Sequence, residues 1–207
     1  MPPPQDEIPV RLRGEQRAAA YVPARAVLPL SAAGAVRLRR TALALRSLAA
    51  LAAAIAFLWP DLTQPELVVA FAVYTFVDGA LVLSPGGWNL SAWRIWPLLC
   101  GGCVSVVVAA TSYAWPDLTI AELGNLAAVW AIGMGLAFLL THVALRHADA
   151  RHFWFLCSIV ALLFGRALLT HLADDVVILS TWLALYVLTI GVIFFKMTLH
   201  HYELWLD

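Results

Sequence analysis

In 207 residues the chain carries 13 basic and 13 acidic side chains, is 62% hydrophobic and only 13% charged, and has a mean hydropathy of +0.83. A soluble domain is closer to half apolar and a quarter charged, so an ordinary soluble globule is excluded and the composition reads as an integral membrane protein. Zero net charge gives no global pull toward nucleic acid, and three cysteines (Cys100, Cys103 and Cys157), all in apolar runs, do not read as a disulfide framework.

The chain opens with a basic segment holding Arg11, Arg13, Arg17, Arg25, Arg37, Arg39 and Arg40, interrupted by Pro9, Pro23 and Pro29. Prolines there oppose one long helix. Residues 1–39 are expected as a flexible basic tail that sets topology; the alternative is a surface element bound to anionic lipid or a partner. A cleaved signal peptide is disfavoured, because the apolar run that follows ends in a Trp-Pro turn and returns straight into another span.

A bilayer-crossing helix needs roughly 20 apolar residues. The sequence predicts six, at Thr41–Trp59, Leu67–Leu83, Ile95–Trp115, Leu123–Leu145, His152–His171 and Val176–Phe195. Long unbroken runs rich in Ala and Leu fit helices rather than the ten-residue alternation of a barrel. Three spans carry a charge, Arg46, Asp78 and Arg166, which is costly in lipid and therefore informative. Arginine and lysine occur at the N-terminus, at Arg94, at Arg146 and Arg151, and at Lys196. The remaining loops hold Asp61, Glu66, Asp117, Glu122, Asp174 and Asp175 instead. The positive-inside rule then puts both termini of this multi-pass chain in the cytoplasm and those acidic tips outside, in the periplasm if the source is a Gram-negative bacterium.

Two of the tips use the same words. Trp59-Pro60-Asp61-Leu62-Thr63 recurs 56 residues later as Trp115-Pro116-Asp117-Leu118-Thr119, followed by Glu66-Leu67 and Glu122-Leu123. Trp belongs at the membrane interface, and the Pro stops the helix before it. Thr63 with Glu66, and Thr119 with Glu122, then form capping boxes that start the next helix. Asp175 takes the place of the capping Thr in the third tip. The 56-residue period continues through Tyr74, Trp130 and Tyr186 and through Gly79, Gly135 and Gly191. The expected fold is all-α and membrane-embedded: a domain of residues 40–207 with six transmembrane helices in three tandem hairpins, at about 40–92, 93–150 and 151–207.

These tips, the tandem hairpins and the late glycine of each returning helix resemble the HdeD family of bacterial inner-membrane proteins. Trp93–Glu203 carries most of the likeness, through WPLLCGG, WPDLTIAELGNLAAVWAIGMGL and ALYVLTIGVIF. The resemblance covers roughly the last four-fifths of the chain. It implies a six-span protein associated with acid resistance and carries no catalytic motif to transfer. The third tip departs from it by lacking Trp-Pro, and the arginine-rich start looks like an extension.

Other motifs have plain readings. Cys100-Gly101-Gly102-Cys103 has the spacing of a metal or redox pair, but it lies within a span with no second pair nearby, and helix packing explains it better. His142 and His171 fall near opposite ends of their spans, a poor match for haem. Trp88, Trp93, Trp96 and Trp154 are expected as interfacial anchors. No cofactor or metal is expected. The partners that fit are the lipid bilayer, a second copy of the chain, or another membrane protein.

Two site expectations follow. Arg46 lies 13 residues before Trp59 and Asp78 lies 12 residues after Glu66, so both sit about 18–20 Å from the same tip and should pair across adjacent helices. The outer carboxylates, with Arg166 reaching toward Asp174, Asp175 or a neighbouring tip, form a surface that loses its charge as the outside falls toward about pH 4. Glu66 and Glu122 lie at helix N-termini, where the dipole favours the ionised form. Taken with what the resemblance to the HdeD family implies, the expected function is that of a non-enzymatic inner-membrane protein of that type, supporting acid or envelope stress tolerance. The alternative is a small transporter or channel, against which stands the lack of paired charges at mid-span. A membrane enzyme has the least support, since no nucleophile–base pair or metal cluster stands out.

Overall fold

The structure, a computed structural model, describes residues 29–84, 92–115, 117–145, 151–170 and 175–203, with backbone alone at 29–40, 92–95 and 200–203. Residues 1–28, Trp88, Pro116, His171 and Asp174, all named above, lie outside the described residues. Six helices and no strand occur among the described residues: α1 Pro29–Phe57, α2 Gln64–Leu83, α3 Ala92–Ala114, α4 Ile120–Ala144, α5 Arg151–Thr170 and α6 Val176–Glu203. Residues 37–207 form one compact unit.

Five of the helices, α2 to α6, are long and apolar enough to cross a membrane, so the architecture is that of a multi-pass membrane protein. The apolar part of α1 with described side chains, Thr41–Phe57, is shorter. α1 itself starts at Pro29, well before the boundary near residue 40 that hydropathy predicts. Residues 29–39, counted with the basic tail above, thus fall within α1. Proline suits the first helical position, where no N–H is needed, and Ala, Leu and Arg are strong helix formers whatever their hydropathy.

Three helices supply the centre. On α2 the buried stripe is Leu67, Phe71 and Tyr74; on α4 it is Leu123, Ala127 and Trp130; on α6 it is Leu179, Leu183 and Tyr186, all at most 5% exposed. The i, i+4, i+7 spacing puts each set on one helix face. Trp130 stands edge-on to Tyr74 at 5.9 Å and to Tyr186 at 5.7 Å. Its indole Nε1 donates to Ser105 Oγ at 2.9 Å, so the polar end of the buried ring has a partner. Outward faces are equally apolar, with Ile55, Val107 and Leu163 each more than 60% exposed. Lipid tails are as apolar as a core, so small residues and close fit, not hydropathy, select the inner faces.

The most extensive helix contacts are α4 with α5 and α2 with α3. Glycine sets these crossings. A Cβ on Gly79 would lie 2.8 Å from the Gly102 carbonyl oxygen, and one on Gly135 would lie 2.8 Å from Leu162 Cγ. On α6, a Cβ at Gly191 would lie 3.0 Å from Ala50 Cβ of α1. Gly101 and Gly102 face α4 and α2, while Cys100 and Cys103 are exposed free thiols. The contact at this motif is made by its glycines and not by its thiols. Trp154 also departs from expectation: it is buried at 6% exposure beside Phe138 and Phe194 and is no interfacial anchor.

Candidate functional site

The first candidate site is the layer of tips. Trp59 and Trp115 are 67% and 64% exposed, as side chains at a water–lipid boundary would be. After Pro60, Asp61 turns the chain with a φ of 62°, a left-handed conformation that Asp tolerates better than most residues. Thr63 then caps α2 in extended conformation. Its N–H and hydroxyl both donate to Glu66 Oε2, at 2.8 and 2.7 Å. The second tip repeats this: Thr119 N–H and Oγ1 donate to Glu122 Oε2 at 2.8 Å each, and Glu122 N–H donates back to Thr119 Oγ1 at 3.3 Å. Asp175 caps α6 by accepting from Val177 N–H through Oδ1 at 2.9 Å.

Glu66 and Glu122 immediately precede the apolar stretches that begin at Leu67 and Leu123, and both are fully exposed. The Thr63 hydroxyl, and then its backbone N–H, hold the Glu66 carboxyl below the usual glutamate range. At Glu122 the Thr119 backbone bond leads and the hydroxyl follows, with the same direction. The cause is that both donors favour the ionised acceptor. A cross-link joins the two tips: Gln64 Nε2, at the start of α2, donates to the Leu118 carbonyl at 2.6 Å. Nothing in the sequence marks that bond, because its partner is a backbone atom 54 residues away.

Asp61 and Asp117 are exposed beside these caps, and so is Asp175. Arg166 is placed elsewhere. It is exposed on the flank of α5, in a recess with Leu163, Ala167 and Thr170. Its expected reach to a carboxylate is not made to Asp175 or to any other described acid, since Arg46–Asp78 is the ion pair among the described residues. The helix explains this: Gly165 faces α4, against Ile132 and Ala128, and the next residue projects about 100° away from that contact.

The second candidate site is buried. Arg46 Nε and Nη2 both reach Asp78 Oδ1 at 2.8 Å, with the side chains only 4% and 6% exposed. The structure thus brings together the two charges that their equal depth matched. Phe194 of α6 lies under the guanidinium, 4.4 Å from ring centroid to Cζ, a contact the sequence does not signal. One residue on, Ser47 Oγ donates to the Gly191 carbonyl at 3.0 Å. Arg46 of α1 is therefore held between α2 and α6, and its charge is neutralised where it sits. Among the described residues no group of three or more His, Cys, Asp or Glu is placed to hold a metal. His142 Nδ1 instead lies 2.9 Å from the Arg151 carbonyl, joining the end of α4 to the start of α5.

Compared with protein-family models, with curated proteins and with solved structures, the chain matches none of them.

Proposed function

We propose that the chain is a six-span bacterial inner-membrane protein of the HdeD type, built as three tandem hairpins with both termini cytoplasmic, and that it supports acid or envelope stress tolerance through its tips. The three-hairpin reading is supported by residues spaced 56 apart in equivalent roles: Leu67, Leu123 and Leu179 are all fully buried, and Gly79, Gly135 and Gly191 all sit at close helix crossings. The observation that carries the functional reading is the capped, cross-linked pair of tips. Each cap is a carboxylate accepting two bonds from one threonine, and the Gln64–Leu118 bond couples one tip to the other.

The sign of the pH effect follows from the lowered glutamate pKa values. Stabilisation by the caps is present above the ordinary glutamate range and is lost as pH falls through the depressed folded value. Moderate acidity leaves the caps in place; strong external acid turns each charge-assisted bond into a weaker neutral one. The tips then loosen, or associate once their mutual repulsion is gone. Transport finds less support, because Trp130, Phe71, Leu123 and Leu183 fill the centre at no more than 1% exposure.

The test replaces Asp61, Glu66, Asp117 and Glu122 together by their amides, verifies equal membrane levels, and measures survival of a complemented deletion strain at low external pH. Survival should fall toward that of the deletion strain. Wild-type survival in the amide variant, beside a clear defect in the deletion, refutes a sensing role and leaves the tips as turns. Solute flux in proteoliposomes would favour transport instead.

A further inference from the structure

We propose that the outer groove between α5 and α6 is a phospholipid site, with the lipid phosphate on Arg166 and an acyl chain lying between the helices. Contact between α5 and α6 is sparser than between α4 and α5, and a groove of about 420 Å³ opens between them. Its walls are Val160, Leu163 and Ala167 on one side and Trp182, Leu185 and Thr189 on the other. Phe164 and Tyr186 close its floor, stacked at 4.3 Å and 11°. Leu163 and Ala167 are shared with the recess around Arg166 and Thr170, so groove and recess are continuous.

The polarity of the groove matches a lipid. α5 runs antiparallel to α4, with Gly165 against Ala128 and Leu162 against Gly135. The Arg166–Thr170 end of α5 therefore lies on the side of the tips, and Val160 lies deeper. From Val160 to Thr170 is about 15 Å along the helix, half of a hydrocarbon core of about 30 Å: the depth of one leaflet. At its shallow end stands a guanidinium that is exposed and has no ion pair with a described residue. A cation there requires an anion or water, and the planar N–H fork fits a phosphate. The charge is particular to this hairpin, since residues 56 and 112 positions earlier are Ala110 and Ala54. A simple snorkelling arginine explains the charge but not the leaflet-deep groove beneath it.

The experiment uses the full chain in phosphatidylethanolamine nanodiscs doped with phosphatidylglycerol carrying a photoreactive acyl chain, with adducts mapped by mass spectrometry. Adducts should concentrate on residues 160–170 and 182–189. Arg166→Ala should lower their yield about tenfold, the loss of one charge-assisted contact, and Arg166→Lys should retain part of it. Ala167→Trp, which fills the groove and keeps the charge, should also abolish them. The idea is overturned by adducts spread evenly over exposed positions such as Val107 and Ile55, or by groove adducts indifferent to Arg166→Ala. The readout is independent of acid survival, so it stands or falls apart from the role of the tips.

Discussion

Removing Arg46 should be far more damaging in the presence of Asp78 than in its absence. Both bonds from the guanidinium end on one carboxylate oxygen at 2.8 Å, and neither side chain is more than 6% exposed. Arg46→Ala strands the Asp78 carboxylate without its counter-charge, a change that costs about 3–5 kcal/mol at buried pairs. Asp78→Asn keeps the shape and an acceptor oxygen but removes the charge, for about 1.5–3 kcal/mol. In the double variant no charge is stranded, so the loss should fall short of the sum of the singles by at least about 1.5 kcal/mol. Unfolding by SDS in mixed micelles, followed by tryptophan fluorescence, measures all four proteins, with Trp130 packed against Tyr74, one turn before Asp78 on α2, among the emitters. Additivity within about 0.5 kcal/mol would show that the pair is not coupled and that each side chain is held by other neighbours.

Gly79→Ala should destabilise by about 1–3 kcal/mol, because its Cβ would meet a backbone oxygen at 2.8 Å, whereas Gly124→Ala, whose Cβ finds Leu179 Cδ1 only at 3.9 Å, should be neutral or better in the same assay. Thr119→Val removes the hydroxyl that both donates to and accepts from Glu122 and should cost about 1 kcal/mol, read as earlier thermal unfolding in detergent. Single cysteines at Asp61 or Asp117, in a background lacking Cys100, Cys103 and Cys157, should react with a membrane-impermeant reagent in intact cells; labelling only after permeabilisation would reverse the topology.

Helix ends were the most legible part of the fold, because caps are local chemistry. Thr63, Thr119 and Asp175 each stand at the start of a helix, as their sequence context requires. The Arg46–Asp78 contact was legible for a different reason: two charges in lipid at one depth have few other partners, so equal distance from a tip was enough. Inner and outer faces were not legible. A helix whose two sides meet lipid and protein is apolar all round, and hydropathy does not separate Leu123, fully buried, from Val129, 60% exposed. The same blindness misplaced Trp154, whose neighbours Phe138 and Phe194 come from other helices. Arg166 lies on the flank of α5, where Gly165 against α4 sets the rotation of the helix, and makes no ion pair with Asp175; Asp174, its other expected partner, lies outside the described residues. The start of α1 was missed because charge lowers hydropathy without lowering helix propensity.

The position of the buried charges has its own logic. α2 meets α3 and α4 meets α5 at glycine crossings, Gly79 on Gly102 and Gly135 on Leu162, and in each case a chain connection already makes the two helices neighbours. α6 approaches α1 at a glycine too, Gly191 beside Ala50, yet these are the last and first helices described, and no direct connection joins them. Van der Waals contact between apolar helices gives little to distinguish one neighbour from another in lipid, whereas a polar link is satisfied in one register. Two polar contacts fall at this seam: Ser47 Oγ donates to the Gly191 carbonyl, and the Arg46 guanidinium, while paired with Asp78 of α2, lies over the Phe194 ring of α6. At the positions 56 and 112 residues after Arg46 the chain has Gly102 and Ser158, and after Asp78 it has Met134 and Ile190, so neither charge recurs at that spacing. A buried ion pair is a poor source of net stability but a good selector of register. On this reasoning the pair fixes which faces of α1, α2 and α6 meet, and its loss should leave the helices formed while loosening the closure of the first helix onto the last.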